Sequence, residues 1–175
     1  MSILPHEDYQ LITSLPEEEV VELISGQIEP QQTWRLAQFR SNKNQKPYEG
    51  VITGNIFKII RIIRYRNSFL PMISGTIKQQ GESTRIHIEM KIMPLATLFI
   101  TLLIGVILIM GISFLFIGLH DRSFLPAIAV PVIMFGMGYF MVYWGFKLES
   151  AKSKKFLREL FRADEATTVS KISAT

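Results

Sequence analysis

The feature that most constrains this chain is a run of 28 residues without a charged side chain, from Ile92 to Leu119. A helix of about 20 residues already crosses the roughly 30 Å hydrocarbon core of a bilayer. Eighteen of the 28 residues are Leu, Ile, Val or Phe, which corresponds to a gross insertion energy of about −5 to −11 kcal/mol. The run therefore predicts a membrane-spanning helix over residues 92–119.

A second uncharged stretch follows after a short link and is less apolar. Residues 123–146 include only ten Leu, Ile, Val or Phe, and they contain Pro126, Pro131 and several glycines. Backbone groups freed at Pro131 need partners inside the membrane, which favours a tightly packed neighbouring helix. We therefore expect a transmembrane helical hairpin over residues 92–146, whose link carries Asp121 and Arg122.

Small residues support this hairpin. If the two spans face each other about the link, Gly105 lies opposite Gly136, and Ala96 lies opposite Gly145. Small side chains on both helices permit close backbone approach, the usual basis of helix association in lipid. The predicted helix-packing residues are Gly105, Gly111, Gly136 and Gly145.

The basic residues predict an orientation. Residues 147–163 hold six Lys or Arg, whereas the link holds Arg122 alone. Under the positive-inside rule, both termini then lie in the cytoplasm and the link lies outside. In a bacterium this describes a multi-pass protein of the inner (plasma) membrane.

Residues 1–91 have the pattern of a cytoplasmic α+β domain. Ser14-Leu15-Pro16-Glu17 has the form of a capping box, which predicts a helix that ends near residue 25. Polar and apolar residues alternate from Tyr48 onward, with a turn at Gly54-Asn55. The strands predicted from this alternation are 48–53, 56–65, 69–79 and 84–92, with 34–39 as a candidate edge strand.

The predicted fold class is therefore α+β: an N-terminal helix and a four- to five-stranded antiparallel meander, then the transmembrane hairpin and a C-terminal helix. Residues 147–175 are expected to form a cytoplasmic basic amphipathic helix and a flexible tail. The apolar residues of this C-terminal helix recur at helical spacing, and two interpretations of their position are open. They cover the open face of the sheet, which we favour, or they lie on anionic lipid. They are Phe156, Leu157, Leu160 and Phe161.

No familiar catalytic motif occurs in the sequence. The chain has no Cys, and its three histidines, His6, His87 and His120, fall in separate segments without a second ligand at metal-binding spacing. We therefore expect no catalytic residue, no cofactor and no metal, and a protein that is not an enzyme. Nucleic acid is not an expected partner, because residues 1–91 are nearly balanced, with 11 basic and 10 acidic residues.

One cluster of arginines has the composition of a binding site. Arg61, Arg64 and Arg66 end a predicted strand, where they would bind phosphate head groups or an acidic partner. The competing interpretation, which we favour, is a solvated strand end and turn. Lys152 and Lys155 of the C-terminal helix join the Arg residues as predicted anion or lipid head-group contacts.

Four sequence patterns together suggest a family. They are Tyr48-Glu49-Gly50-x-Ile52, Phe57-x-Ile59-x-Arg61, Tyr65-Arg66-Asn67-Ser68-Phe69-x-Pro71-x-Ile73-x-Gly75 and Glu149-Ser150-x-Lys152-x-Lys154-Lys155-Phe156-Leu157. In these patterns, over residues 14–163, the chain resembles uncharacterised small bacterial membrane proteins with a cytoplasmic β-rich domain and a two-helix hairpin. The resemblance implies an architecture and a bacterial origin, and it implies no activity.

Two functions follow as hypotheses. In the first, the protein is a non-enzymatic inner-membrane protein whose cytoplasmic domain binds a partner, a ligand or its own copies. In the alternative, it is a membrane-perturbing or channel-like effector gated by that domain, with hydroxyl residues such as Thr101 and Ser113 lining a pore in an oligomer. The expected partners are the lipid bilayer, anionic lipid, and a second copy or another protein.

Overall fold

The structure is a computed structural model that describes residues 4–30, 46–63, 67 and 69–165. The described part is a mixed α+β fold, as predicted. In chain order its elements are β1 (His6–Thr13), α1 (Glu17–Gly26), β2 (Ile28–Pro30), β3 (Tyr48–Thr53), β4 (Ile56–Arg61), β5 (Pro71–Gln80), β6 (Ser83–Ile92), α2 (Pro94–His120), a 3₁₀ helix (Arg122–Ile128), α3 (Ala129–Leu160) and β7 (Asp164–Glu165).

The described strands form one seven-stranded sheet in the order β2-β3-β4-β5-β6-β1-β7. Strands β3 to β6 are the predicted antiparallel meander, and only the pair β2–β3 is parallel. Their hairpin turns at Gly54 and Gly81 both have positive φ, at 56° and 65°. Glycine adopts this conformation without a steric penalty, so the predicted turns form where the sequence places them.

Strand β1 was not predicted, because the sequence interpretation began the fold with α1. It pairs with β6 along its whole length, from His6 opposite Lys91 to Thr13 opposite Thr84. Its alternation is weak, since Ile12 lies on the exposed side. The predicted edge strand at 34–39 and the end of the predicted second strand at 65 lie outside the described residues, and so does the C-terminal tail.

Helix α1 begins at Glu17 without the predicted side-chain cap from Ser14, so the capping-box interpretation was wrong. Gln79 of β5 supplies the cap instead. Its side-chain Oε1 accepts the Glu17 N–H at 3.1 Å, while the Glu17 carboxylate accepts the Gln79 N–H at 2.8 Å. A tertiary contact therefore replaces the local one in satisfying the end of the helix.

The core lies on one face of the sheet, against α1 and the second half of α3. Alternate residues of each central strand point into it and are buried. Gly75 of β5 faces the Phe57 ring, and a Cβ at Gly75 would lie 2.0 Å from that ring. Only glycine fits beneath the ring. The central buried side chains include Tyr48, Phe57, Ile59, Ile73, Ile77, Ile86, Ile88 and Met90.

Helix α3 is a single helix of 32 residues, whereas the sequence interpretation ended a span at 146 and began a separate helix at 147. The preceding 3₁₀ turn contains Pro126, and Pro131 is the third residue of α3. Proline is tolerated there because the first N–H groups of a helix have no intrahelical acceptor. No proline follows Pro131 in α3, so the helix continues unbroken into the sheet.

The sheet curves around the second half of α3. The Lys154 ammonium lies 4.6 Å from the centre of the Tyr9 ring in β1, and the Phe156 ring lies 5.1 Å from the Tyr48 ring in β3. Strands β1 and β3 are separated by three others, yet both contact the same short stretch of α3. Leu157 is fully buried in this concave face, so the apolar residues of the C-terminal segment pack on the sheet.

Candidate functional site

The buried and half-buried ion pairs between α3 and the sheet are concentrated where α3 passes from its apolar half onto the sheet. We call this region the helix–sheet junction and define it by Glu7, Arg61, Lys147, Glu149 and Lys152. Alternation places Glu7 of β1 and Arg61 of β4 on the concave face of the sheet. Helical spacing after Phe146 presents the other three from α3.

Glu149 is the buried carboxylate of the junction, with 1% of its surface exposed. The Arg61 Nη1 donates to Glu149 Oε2 at 2.9 Å, and the Lys152 Nζ donates to Oε1 at 2.8 Å. Burying a carboxylate is costly unless it is paired and hydrogen-bonded. The two cations therefore allow Glu149 to lie inside the domain.

A second ion pair holds α3 to strand β1. The Lys147 Nζ lies 2.7 Å from Glu7 Oε1, and the Ser150 hydroxyl donates to the same oxygen at 3.1 Å. The hydrogen bond that Lys147 donates to the Glu7 carboxylate raises the pKa of Lys147. Together with the Arg61–Glu149 pair, this contact attaches α3 to two strands, β1 and β4, that are separated by β5 and β6.

The connection between β4 and β5 contacts α3 one turn earlier. The Asn67 side-chain nitrogen donates to the Gly145 carbonyl at 3.1 Å, and Asn67 Oδ1 accepts the Phe69 N–H. A Cβ on Gly145 would lie 3.1 Å from the Phe69 ring. Gly145, predicted to pack on the partner span, therefore packs on this connection.

Three buried hydroxyls lie beside the ion pairs, on Tyr9, Tyr48 and Ser153. Burial raises the pKa of Tyr48, while the nearby Ser153 hydroxyl and Arg61 guanidinium act in the opposite direction. Burial also raises the pKa of Tyr9, with a smaller contribution from the Glu7 carboxylate. Both phenols are therefore protonated at neutral pH.

The structure separates the residues of the predicted anion site. Arg61 is paired with Glu149, and Lys152 with the same carboxylate. Lys155 is exposed, with its Nζ 3.9 Å from the Glu159 carboxylate. Arg64 and Arg66 lie outside the described residues, so lipid contact by this cluster stays a prediction.

Sequence reasoning missed Glu149, although a signal for it was present. The buried residues along α3 recur at intervals of three and four, the spacing of one helical face. A carboxylate and a hydroxyl on an otherwise apolar face predict a buried polar contact. That face consists of Val142, Phe146, Glu149, Ser153 and Leu157.

The predicted glycine contacts of the hairpin are only partly present. Gly111 faces Pro131, where an added Cβ would lie 3.7 Å from the proline ring. At Gly105 and Gly136, a Cβ would meet no atom within 4 Å. The facing pair Gly105–Gly136 is therefore not a close contact. The helices approach closely at Gly111 and Pro131, nearer to the link.

Two helical segments, Pro94–His120 and Arg122–Leu160, are long and apolar enough to cross a membrane. In each, only 11% of the most apolar stretch is buried. The Thr101 and Ser113 hydroxyls donate to carbonyls of their own helix, those of Thr97 and Ile109. Such bonds satisfy a hydroxyl within the helix and need no pore.

Within residues 4–30, 46–63, 67 and 69–165, no group of three His, Cys, Asp or Glu side chains could hold a metal ion. Comparison with protein-family models, with curated proteins and with solved structures gave no match. The class of protein is therefore defined by its own architecture: an α+β domain whose sheet packs on one face of the end of a long, otherwise exposed apolar hairpin.

Proposed function

We propose that this chain is a two-pass integral membrane protein whose α+β domain is a non-enzymatic binding module held at the cytoplasmic surface of a bacterial inner membrane. One observation carries the proposal. Helix α3 is apolar and exposed over its first half, and one face of its second half packs against the sheet. A rigid helix shared by both parts would fix the domain at the membrane surface.

The exposure of the hairpin supports a membrane location. Leu95, Phe116 and Leu119 are 76%, 69% and 72% exposed, and many neighbouring apolar side chains resemble them. Monomeric soluble proteins rarely expose contiguous apolar patches larger than a few hundred Å². The core helix of a soluble protein would be mostly buried, so lipid is the environment that suits these side chains.

The ends of the hairpin support the proposed orientation. The link between α2 and α3 contains Arg122 and Asp121, whereas α3 continues beyond Phe146 into a strongly basic segment. Cytoplasmic segments next to a span carry the excess of Lys and Arg. The domain and both termini would therefore be cytoplasmic, and the link would lie on the other side.

A binding role suits the two surfaces of the domain. The concave face is covered by α1 and α3, and its ion pairs hold α3 to the sheet. The opposite face carries exposed polar side chains, among them Lys58, Arg85 and His87, which remain accessible to a partner or a ligand. In the membrane, the open positions at Gly105 and Gly136 would let the helices of a second copy approach closely.

Reporter fusions test this proposal. A reporter that is active only in the cytoplasm, fused at either end of the chain, should be active, and fused within the link at residue 121 it should be inactive. A reporter that is active only outside should give the opposite pattern. A matched variant with Lys152→Gln and Lys155→Gln controls for the basic segment. A larger fraction of its molecules should have the proposed orientation than in a variant lacking all six basic residues. An outside signal from either end would overturn the proposal.

A further inference from the structure

The far end of α3 carries a basic groove that the junction does not use. We define the distal groove by Lys154, Lys155, Arg158 and Arg162, which line a cavity of about 640 Å³ together with Ala151, Glu159, Ala163 and Asp164. The cavity volume lies within the usual range for small-molecule sites, about 300 to 1,000 Å³. Its four cations outnumber its two carboxylates.

The cations of the distal groove differ in their partners. Lys154 pairs with Glu165 at 2.5 Å, and Lys155 lies 3.9 Å from Glu159. Arg158 and Arg162 are exposed and have no ion-pair partner within the described part of the chain. Two guanidinium groups, each with planar donors that match phosphate oxygens, are therefore available to a ligand.

Arg162 is held in an unusual backbone conformation. Its φ is 47°, the left-handed region that favours glycine, and it is the only non-glycine residue with positive φ within the described residues. Its N–H bonds to the Glu159 carbonyl at 3.3 Å, and the Ala163 N–H bonds to the Arg158 carbonyl at 3.1 Å. This is the hydrogen-bond pattern in which a helix usually ends on glycine.

The backbone on both sides of Arg162 is fixed. Phe161 is fully buried and its carbonyl accepts the Thr13 hydroxyl at 2.8 Å, while Ala163 is 7% exposed. The turn therefore holds the backbone of Arg162, which lines the groove, in a fixed position. An arginine in place of the sterically favoured glycine introduces local strain, and strained residues concentrate at functional sites.

We propose that the distal groove binds a small water-soluble ligand carrying one or more phosphate groups. Arg158 lies twelve residues beyond Phe146, about 18 Å along α3, whereas the head-group layer on each side of a bilayer is only about 5 to 8 Å thick. The groove therefore lies beyond the head groups of its own membrane. The inference rests on the proposed function in placing this end of α3 in the cytoplasm.

The test is calorimetric titration of the full chain, in nonionic detergent, with pyrophosphate as the probe. We expect saturable binding at one site per chain. Arg158→Gln with Arg162→Gln should weaken binding at least tenfold. The control, Lys78→Gln with Lys91→Gln, removes the same charge from the opposite face of the sheet and should weaken binding less than threefold. Absence of binding by the natural chain, or equal losses in both variants, would overturn the inference.

A second variant separates ligand binding from folding. Arg162→Gly removes the backbone strain together with the guanidinium, so it should raise the unfolding temperature by a few degrees while it weakens pyrophosphate binding as Arg162→Gln does. Unchanged affinity in Arg162→Gly would show that the guanidinium binds nothing.

Nanodiscs distinguish the two sources of phosphate. Affinity for pyrophosphate in phosphatidylcholine nanodiscs containing phosphatidylglycerol should stay within threefold of that in pure phosphatidylcholine. Displacement of pyrophosphate by phosphatidylglycerol would assign the groove to lipid head groups and overturn the soluble ligand. A chain with the proposed topology and no pyrophosphate binding overturns this inference alone. A chain that binds pyrophosphate but shows another topology overturns the proposed function alone.

Discussion

Arg61 of β4 and Glu149 of α3 lie 88 residues apart in the chain and form an ion pair of 2.9 Å. The carboxylate side chain is 2% exposed and the guanidinium side chain is 30% exposed. The pair therefore joins the interior of the sheet to the helix that continues into the apolar hairpin. A displacement of α3 relative to the sheet would leave a charge buried without its partner, so the pair fixes the position of the helix.

Loss of this pair should destabilise the domain measurably. We expect Arg61→Ala to lower the free energy of unfolding by about 2 kcal/mol, because Glu149 would stay buried with one charged partner fewer. Chemical denaturation in detergent, followed by the circular dichroism of the sheet, measures the change. Lys91→Ala is the control: it breaks the more exposed pair with Glu89 and should cost less than about 1 kcal/mol. Equal losses would remove the special role of the Arg61–Glu149 pair.

The pair between Lys147 and Glu7 should make stability depend on alkaline pH. The hydrogen bond that Lys147 donates to the Glu7 carboxylate raises the pKa of Lys147 above the ordinary value of 10.5. The folded state therefore holds this proton more tightly than the unfolded state. Its contribution is complete below about pH 10.5 and is lost as the pH rises through the folded pKa.

Lys147→Met removes the titrating ammonium and keeps much of the side-chain length. We expect its unfolding temperature to fall less steeply than that of the natural chain between about pH 10 and pH 12. Deprotonation of the buried tyrosines also lowers the stability of the fold in this range, and this loss occurs in both proteins. Parallel pH profiles would show that the Lys147 contact adds no stability.

The contact between Gly75 and Phe57 predicts a sharp steric effect. Gly75→Ala places a Cβ 2.0 Å from the Phe57 ring, and we expect a loss of about 1 to 3 kcal/mol in unfolding free energy. Gly26→Ala is the control, because a Cβ at Gly26 meets no atom within 4 Å. Adding Phe57→Leu to Gly75→Ala should recover part of the loss. Wild-type stability in Gly75→Ala alone would contradict this packing.

Gly111 and Gly136 were both predicted to pack in the hairpin, and in the structure only Gly111 makes such a contact. We expect Gly111→Leu to destabilise the chain in detergent more than Gly136→Leu, because only the former side chain would meet Pro131. Thermal unfolding in micelles measures the difference. A larger effect at Gly136 would favour the facing-glycine register, or a contact of Gly136 with a second copy that cross-linking would detect.

How far the sequence predicts the fold depends on whether local pattern or tertiary contact decides each element. Strand β6 was predicted almost to the residue because Ile86, Ile88 and Met90 alternate with charged residues, and the pleat of a strand requires that period. Strand β1 was missed because Ile12 interrupts its alternation, and pairing with β6 decides its structure. The cap of α1 was assigned to Ser14 because the true partner, Gln79, is distant in sequence.

At the helix–sheet junction, too, local sequence pattern predicts some features and tertiary contact decides the others. The apolar and basic residues of 147–163 predict a helix that packs on the sheet, which the structure confirms. The predicted second span and the predicted C-terminal helix form one continuous helix, because no proline or capping residue interrupts α3 near residue 146. Arg61 could be singled out as a charged residue and Glu149 as a carboxylate on an apolar helix face, but their pairing could not be predicted. Which cation meets which carboxylate depends on how tightly the sheet curves around the helix.

The most direct measurement of the central claim uses the absence of cysteine from the chain. Val132 in the first half of α3 is 65% exposed, and Ala151 in the second half is also exposed. A water-soluble maleimide is added to intact membranes whose cytoplasmic side is accessible to it. It should label Ala151→Cys, and it should leave Val132→Cys unlabelled until detergent denatures the protein. Equal labelling of the two cysteines in intact membranes would show that α3 does not enter lipid, and it would contradict the account.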